Sequence, residues 1–260
     1  LKYLLWLALA ADWESLFDGL TWKNWSLSQT PSSGWWRIER GWIQAKPEGS
    51  GEGRRLFTLA AYKDFELEFN WRVEHDGNSG VKYRIQRSNI APAGVSLDEM
   101  IAHSRLVPPT LANLQRGFAM GFEYQLTDDE YAPDALDSPI RASAALYRLA
   151  AARKPGPVKA GTEHVSRIRV QGWHFEHWLD RRKVLSGDLK SKGIMAKLKS
   201  NVELAHQKMA EAKTARERYD LSVLLLTAET LANGGCKKDC VNVVLKQNEG
   251  EQDETGPKQL

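Results

Sequence analysis

Phe65-Glu66-Leu67-Glu68-Phe69-Asn70-Trp71-Arg72-Val73 alternates without a break, with Phe65, Leu67, Phe69, Trp71 and Val73 on one side of an extended chain and Glu66, Glu68, Asn70 and Arg72 on the other. Successive strand side chains point to opposite faces, so this is a β-strand with one face on a core and one in water. After the turn formers His75-Asp76-Gly77-Asn78-Ser79-Gly80 the pattern resumes, with Val81, Tyr83 and Ile85 on the apolar side and Lys82, Arg84 and Gln86 opposite. The two segments read as a hairpin.

Further strands are expected at 35–38, 42–45, 55–58, 144–149, 166–170 and 173–180, with Gly, Pro and Asp between them, and 241–246 has the pattern of a closing strand. Many short strands punctuated in this way predict an all-β protein of sandwich type. Most of the ten tryptophans sit at apolar strand positions, and Trp13, Trp22, Trp25 and Trp71 are assigned to the core. Two stretches break the pattern. Residues 96–106 predict a short helix, with Ser96 and Glu99 spaced as a capping box and Pro108-Pro109 after it. Residues 190–221 predict an added C-terminal amphipathic helix, carrying Ile194, Leu198, Val202, Ala205, Met209 and Ala212 at spacings of three or four, with a break expected near Ser200-Asn201.

With 260 residues the chain can bury a full core, and one main domain is expected over 11–246, followed by a polar, disordered tail at 247–260. A net charge of +3, from 36 basic against 33 acidic side chains, argues against nucleic acid as a partner. Residues 1–10 place Lys2 and a short apolar run before Ala8-Leu9-Ala10, the pattern of a signal-peptide remnant, so a periplasmic or secreted protein is expected. That run is too short to span a bilayer, and nothing after it has the composition of a membrane helix. Cys236 and Cys240 alone make no disulfide framework and no cysteine-rich zinc site.

The run Gly121-Phe122-Glu123-Tyr124-Gln125-Leu126-Thr127-Asp128-Asp129 has the layout of a site. Glu123 and Gln125 share one face of a strand, Phe122, Tyr124 and Leu126 the other, and the strand breaks into an acidic turn. Near the end of the β region, His177 falls on the side of Trp173, Phe175 and Leu179, where a buried structural histidine competes with a catalytic one. Trp178 shares the opposite face with His174 and Glu176, and its indole could serve as a platform for a sugar ring.

Four blocks taken in order resemble the 3-keto-disaccharide hydrolase domain family. They are Ser15-Leu16-Phe17-Asp18-Gly19 with Trp25; Tyr62-Lys63-Asp64-Phe65-Glu66-Leu67 running through Trp71-Arg72 to Gly77-Asn78-Ser79-Gly80-Val81; Gly121-Phe122-Glu123-Tyr124-Gln125 with Asp128 and then Ala145-Leu146-Tyr147; and Phe175-Glu176-His177-Trp178-Leu179. Gly161-Thr162-Glu163-His164 and Asp180-Arg181 depart from the family's pattern, and the stretch 225–235 brings no histidine where the family has one.

The resemblance implies a concanavalin A-like jelly-roll sandwich that acts on an oligosaccharide or glycoside already oxidised to a ketone at carbon 3. The ketone acidifies the hydrogen on carbon 2, so a base can remove it, the enolate can expel the glycosidic oxygen, and water can add. On that basis Glu123 and His177 are the candidate acid/base pair, and Lys82 and Arg84 the candidates to hold the enolate oxygen or sugar hydroxyls. Arg72, Asn78, Gln125, Asp128 and Trp178 would bind the sugar. Asp128 and Asp129 are also the candidates for a divalent cation such as calcium, which wants six or more oxygens. An ordinary two-carboxylate glycosidase is disfavoured, because Glu123 is followed on its face by Gln125 and not by a second acid. The alternative from another class is a non-catalytic carbohydrate-binding sandwich domain.

Overall fold

The structure, a computed structural model, describes residues 2–9, 12–26, 35–46, 55–92, 94–233 and 244–247, with 2–9, residue 12 and 244–247 described by their backbone alone. The first half of the chain is a run of strands: β1 (Lys2–Leu9), β2 (Asp12–Ser15), β3 (Trp36–Glu39), β4 (Trp42–Ala45), β5 (Arg55–Phe57), β6 (Phe65–Arg72) and β7 (Asn78–Ile90). Then α1 (Leu97–His103), β8 (Arg105–Val107) and α2 (Leu111–Arg116) lead into β9 (Phe118–Thr127) and the short α3 (Pro133–Asp137). The chain continues through β10 (His164–Gln171), β11 (His174–Leu179), β12 (Arg182–Asp188), α4 (Lys192–Glu211), α5 (Ala215–Asn233) and β13 (Val244–Gln247).

All strand pairs are antiparallel, and they form two sheets. The first has the order β12-β11-β10-β6-β1-β4-β3, with β2 also pairing β1. The second is built on β7, which pairs with β9 along its length and with β13 and β8 near its two ends, β5 lying beyond β13. Their apolar faces meet. Phe65 and Tyr83 touch edge to face at 6.3 Å between centroids, and Phe69 and Tyr124 at 6.0 Å. The Trp71 indole donates to Ser166 Oγ at 2.8 Å, and the Tyr124 hydroxyl meets the same oxygen at 2.7 Å, so the polar atoms of two wholly buried rings are satisfied inside the core.

The expected hairpin of β6 and β7 is not formed: β6 pairs with β1 and β10, β7 with β9, and the two strands lie in different sheets. Their apolar faces look at each other across the core instead of lying side by side. The five-residue connection, 73–77, is therefore a corner between layers. Asp76 sits there at φ +57°, its amide donates to the Asp128 carboxylate at 3.0 Å, and the Asp128 amide donates to the Gly77 carbonyl at 2.8 Å.

Residues 2–9 are paired as β1, with Lys2 to Ala8 in register against Arg72 to Glu66. Other differences have local causes. The expected strand at 144–149 is a series of turns joined by isolated bridges of Leu146 to Tyr124 and Ala150. Trp13 is 44% exposed, not core, whereas Trp25 and Trp71 are fully buried and Trp22 packs half-buried against the core. At 96 the capping box of Ser96 and Glu99 is formed as expected. The single long helix is two. It passes unbroken through Asn201, whose Nδ2 donates to the Arg148 carbonyl at 3.3 Å and so does not compete for its own backbone. The break comes after Glu211, where Thr214 and Glu217 form a second reciprocal cap, with Glu217 N donating to Thr214 Oγ1 at 3.1 Å and Thr214 N to Glu217 Oε2 at 3.0 Å. The closing strand is present as β13, which includes Gln247; the expected tail beyond it, and both cysteines, lie outside the described residues. No helix among the described residues is long and apolar enough to cross a membrane.

Candidate active site

All ten residues of β9 are buried, although only one of its faces looks at the first sheet. The other face carries Glu123 and Gln125, and buried polar groups of this kind persist only where they are paired or used. Register sets the neighbours: Lys82 of β7 lies directly opposite Glu123, and Gly80 opposite Gln125. The Lys82 ammonium is 3.7 Å from Glu123 Oε2, donates to the Ala119 carbonyl at 3.1 Å, and lies 3.9 Å from the centre of the Phe118 ring. One rung further, Gln125 Nε2 donates to Asn78 Oδ1 at 2.8 Å, and Asn78 Nδ2 donates to Asp134 Oδ2 at 3.4 Å. The Tyr147 hydroxyl donates to that same Asp134 oxygen, and Arg141 donates to the other one at 3.2 Å.

A cavity of about 340 Å³ opens over these groups, at the small end of the roughly 300–1,000 Å³ typical of small-molecule sites. Lys82, Glu123, Asn78 and Gln125 form its floor, and Asp134, Tyr147 and Arg148 one rim. Its roof is helical: Leu198 and Asn201 of α4, and Asp220, Val223, Leu224, Thr227, Ala228 and Leu231 of α5. The roof is pinned to the floor strand by the Thr227 hydroxyl, 2.9 Å from Met120 Sδ.

Four of the candidates read from sequence thus come together: Glu123, Lys82, Asn78 and Gln125. The other six do not. His177 is wholly buried between the sheets, ringed by Tyr83, Tyr124 and Phe175. Its Nδ1 lies 2.8 Å from the Ala144 carbonyl, which can only accept, so Nδ1 carries the proton and Nε2 accepts from the Tyr83 hydroxyl at 2.9 Å. Burial pushes its pKa down to about 3, against the bond to Ala144, which acts the other way. It is a neutral core histidine, as its place beside Phe175 and Leu179 allowed. Arg84 leaves the face of Lys82 because the β7–β9 register slips between Tyr83 and Arg87 and Arg84 takes φ +51°. Its guanidinium is buried against Asp64 at 3.0 Å and the Gly172 carbonyl, and burial lowers its pKa although Asp64 opposes that.

Arg72 lies in the first sheet and pairs with Glu74 at 3.5 Å. Trp178 is on the outer face of that sheet, its indole donating to Glu176 at 3.0 Å. Asp128 holds the corner: its Oδ2 accepts from the Asp76 amide and its Oδ1 from the Glu130 amide at 3.1 Å. Asp129 accepts from the Ser143 and Val158 amides, both at 2.7 Å, and pairs with the Lys154 ammonium. Oxygens ringed by N–H groups and an ammonium do not fit a calcium ion, and no group of three or more candidate ligands occurs among the described residues.

Asp134, Tyr147, Asn201 and Asp220 were missed as cavity residues. Tyr147 closes the third block of the resemblance, which was a usable signal. Asp134 and Asp220 had none, since nothing in a lone acid beside a proline or on a helix tells which cavity it borders.

Two facing antiparallel sheets, one of them carrying a roofed cavity with a carboxylate–ammonium pair and two amides, define a mostly β protein with its candidate site on the second sheet. The chain belongs to the family of the 3-keto-alpha-glucoside-1,2-lyase-like domain, which it matches over residues 12–212. A Bacteroides thetaiotaomicron relative named 3-keto-disaccharide hydrolase is 29% identical over 188 residues, which is 68% of this chain and 59% of that one. The chain therefore spans less than two thirds of the length of that relative. The crystal structure of a provisionally assigned glycosyl hydrolase from Parabacteroides distasonis shares the fold, with a TM-score of 0.50 at 20% identity over 72% of this chain and 76% of the other. The match to the family ends before α5, which supplies six of the eight roof residues named above.

Proposed function

We propose that the protein cleaves the glycosidic bond of glycosides oxidised to a ketone at carbon 3, by elimination and then hydration, on a concanavalin A-like jelly-roll scaffold. The observation that carries this reading is the buried Lys82–Glu123 pair facing a cavity large enough for a sugar ring. Glu123 takes the acidified proton from carbon 2. Lys82 donates to the ketone oxygen as negative charge builds there. The bond from carbon 1 to the glycosidic oxygen then breaks, its electrons leaving with that oxygen, which picks up the proton that Glu123 has just acquired. Water adds across the resulting double bond, hydroxyl to carbon 1 and hydrogen to carbon 2, and a free 3-keto sugar is released.

One carboxyl group serving as base and then acid makes a catalytic histidine unnecessary. A positioned base contributes on the order of 100 to 10,000-fold and a preorganised donor at an oxyanion about 100 to 1,000-fold. Asn78, Gln125, Asp134 and Tyr147 supply the hydrogen bonds that orient the ring. The test is incubation with a 3-keto-glucoside and with its unoxidised parent. Release of aglycone from the ketone alone is expected; equal cleavage of both, or of neither, overturns the reading.

The ladder from Gln125 through Asn78 and Asp134 to Tyr147 also favours a second reading, a sugar-binding domain without chemistry, since such a ladder needs no base. Glu123→Gln separates the two. An enzyme loses turnover by roughly 100-fold or more while still binding the keto-glycoside, whereas a pure binder shows no turnover to lose.

A further inference from the structure

We propose that the leaving group is apolar, an alkyl or aryl aglycone that lies under α5 and passes between Phe122 and Leu231 into a second hollow. This rests on the reaction proposed above and names the substrate class within it. The cavity is two-sided. Its charged and amide groups come from β7, β9 and the segment leading away from β9, whereas the helices turn Leu198, Val223, Leu224 and Leu231 towards it. The polar helical residues at its edge are already engaged. Asp220 pairs with Arg216 at 3.1 Å on the exposed rim, the Thr227 hydroxyl meets Met120 Sδ, and Asn201 donates to the Arg148 carbonyl. A second sugar placed against this roof would lose water from its hydroxyls and find aliphatic side chains in return, which is unfavourable for each unpaired group. A hydrocarbon aglycone gains by the same burial.

The second hollow extends the argument. It measures about 290 Å³, is walled by Trp173, Leu189 and Met195 with Lys190 and Asn233 at its edge, the Lys190 ammonium lying 3.9 Å from the centre of the Trp173 ring, and it shares Phe122 and Leu231 with the first cavity. The proposal routes the aglycone along this side, past Phe122 and Leu231 and away from the Lys82–Glu123 pair. Trp173, Leu189, Met195 and Leu198 lie within the span matched by the family, whereas Val223, Leu224 and Leu231 of α5 lie past it.

The experiment compares kcat/KM for methyl, hexyl, phenyl and glucosyl 3-keto-glucosides with the full chain. A rise of at least about tenfold from methyl to hexyl, with hexyl and phenyl above glucosyl, is expected, since a few methylenes in an apolar pocket give discrimination of this order. Leu224→Asn, at a half-buried position, should narrow the ratio of hexyl to glucosyl roughly tenfold; if that variant loses its circular dichroism, Met195→Gln in the second hollow reads the same ratio. Glucosyl turnover equal to or above hexyl, or a ratio unmoved in a folded variant, overturns the proposal. If no keto-glycoside is turned over, the reaction itself falls, and calorimetric binding of the same four compounds still decides the aglycone: tighter hexyl than glucosyl binding supports it, and equal or weaker binding sinks it.

Discussion

A β-carbon at position 80 would fall inside contact distance of the end of the Glu123 side chain, so this glycine lets the carboxylate lie flat on the backbone of β7. Gly80→Ala should push Glu123 aside. A displacement near 1 Å costs on the order of 100-fold in rate, and steady-state kinetics should show kcat falling more than KM rises. His177 makes a different prediction. Its folded pKa of about 3 lies below the ordinary value of 6.5, so between those limits the unfolded chain binds a proton that the native protein does not. Stability therefore climbs with pH through that window, by at most about 1.4 kcal/mol per unit, and the contribution is flat above it. His177→Gln should flatten this part of the profile in urea titrations between pH 3 and 6.5 and leave the pH profile of turnover near neutrality unmoved. At this scale alternation told which side chains share a face: Glu123 with Gln125, His177 with Phe175. It could not tell which face borders a cavity, and it failed at Arg84, where the β7–β9 register slips and a positive φ turns the side chain away.

The corner between β6 and β7 is the element on which the site turns, because it delivers Asn78 and Gly80 to the cavity and is fastened by one carboxylate. Asp128→Ala would leave the amides of Asp76 and Glu130 without their acceptor, in a position where the side chain is wholly buried. A loss of about 1–3 kcal/mol is expected, seen as a lower urea midpoint at an unchanged slope. Since Asn78 belongs to the ladder proposed to orient the ring, KM should rise in the same variant. The individual strands were legible because their alternation is strong; their partners were not. A segment with one apolar face satisfies a hairpin and a corner equally well, and only the layer beyond it distinguishes them. The helical break was misplaced for a similar reason. Thr214 and Glu217 have capping-box spacing, but Asn201 looked like a breaker until its side chain found Arg148.

For the whole molecule, the two-layer β architecture and half of the site were legible in the sequence, while the roof that makes a cavity of that site was not. An amphipathic helix announces an apolar face, not the surface it will cover. Residues 2–9 add a strand to the first sheet, paired along β6. Sheet order also has a consequence for synthesis. Lys82 lies opposite Glu123 on one side and opposite Val244 of β13 on the other, so its strand waits, half-flanked, until a far later stretch has left the ribosome. The nascent chain must therefore carry Lys82 through the synthesis of residues 83–244 before both of its flanking strands exist.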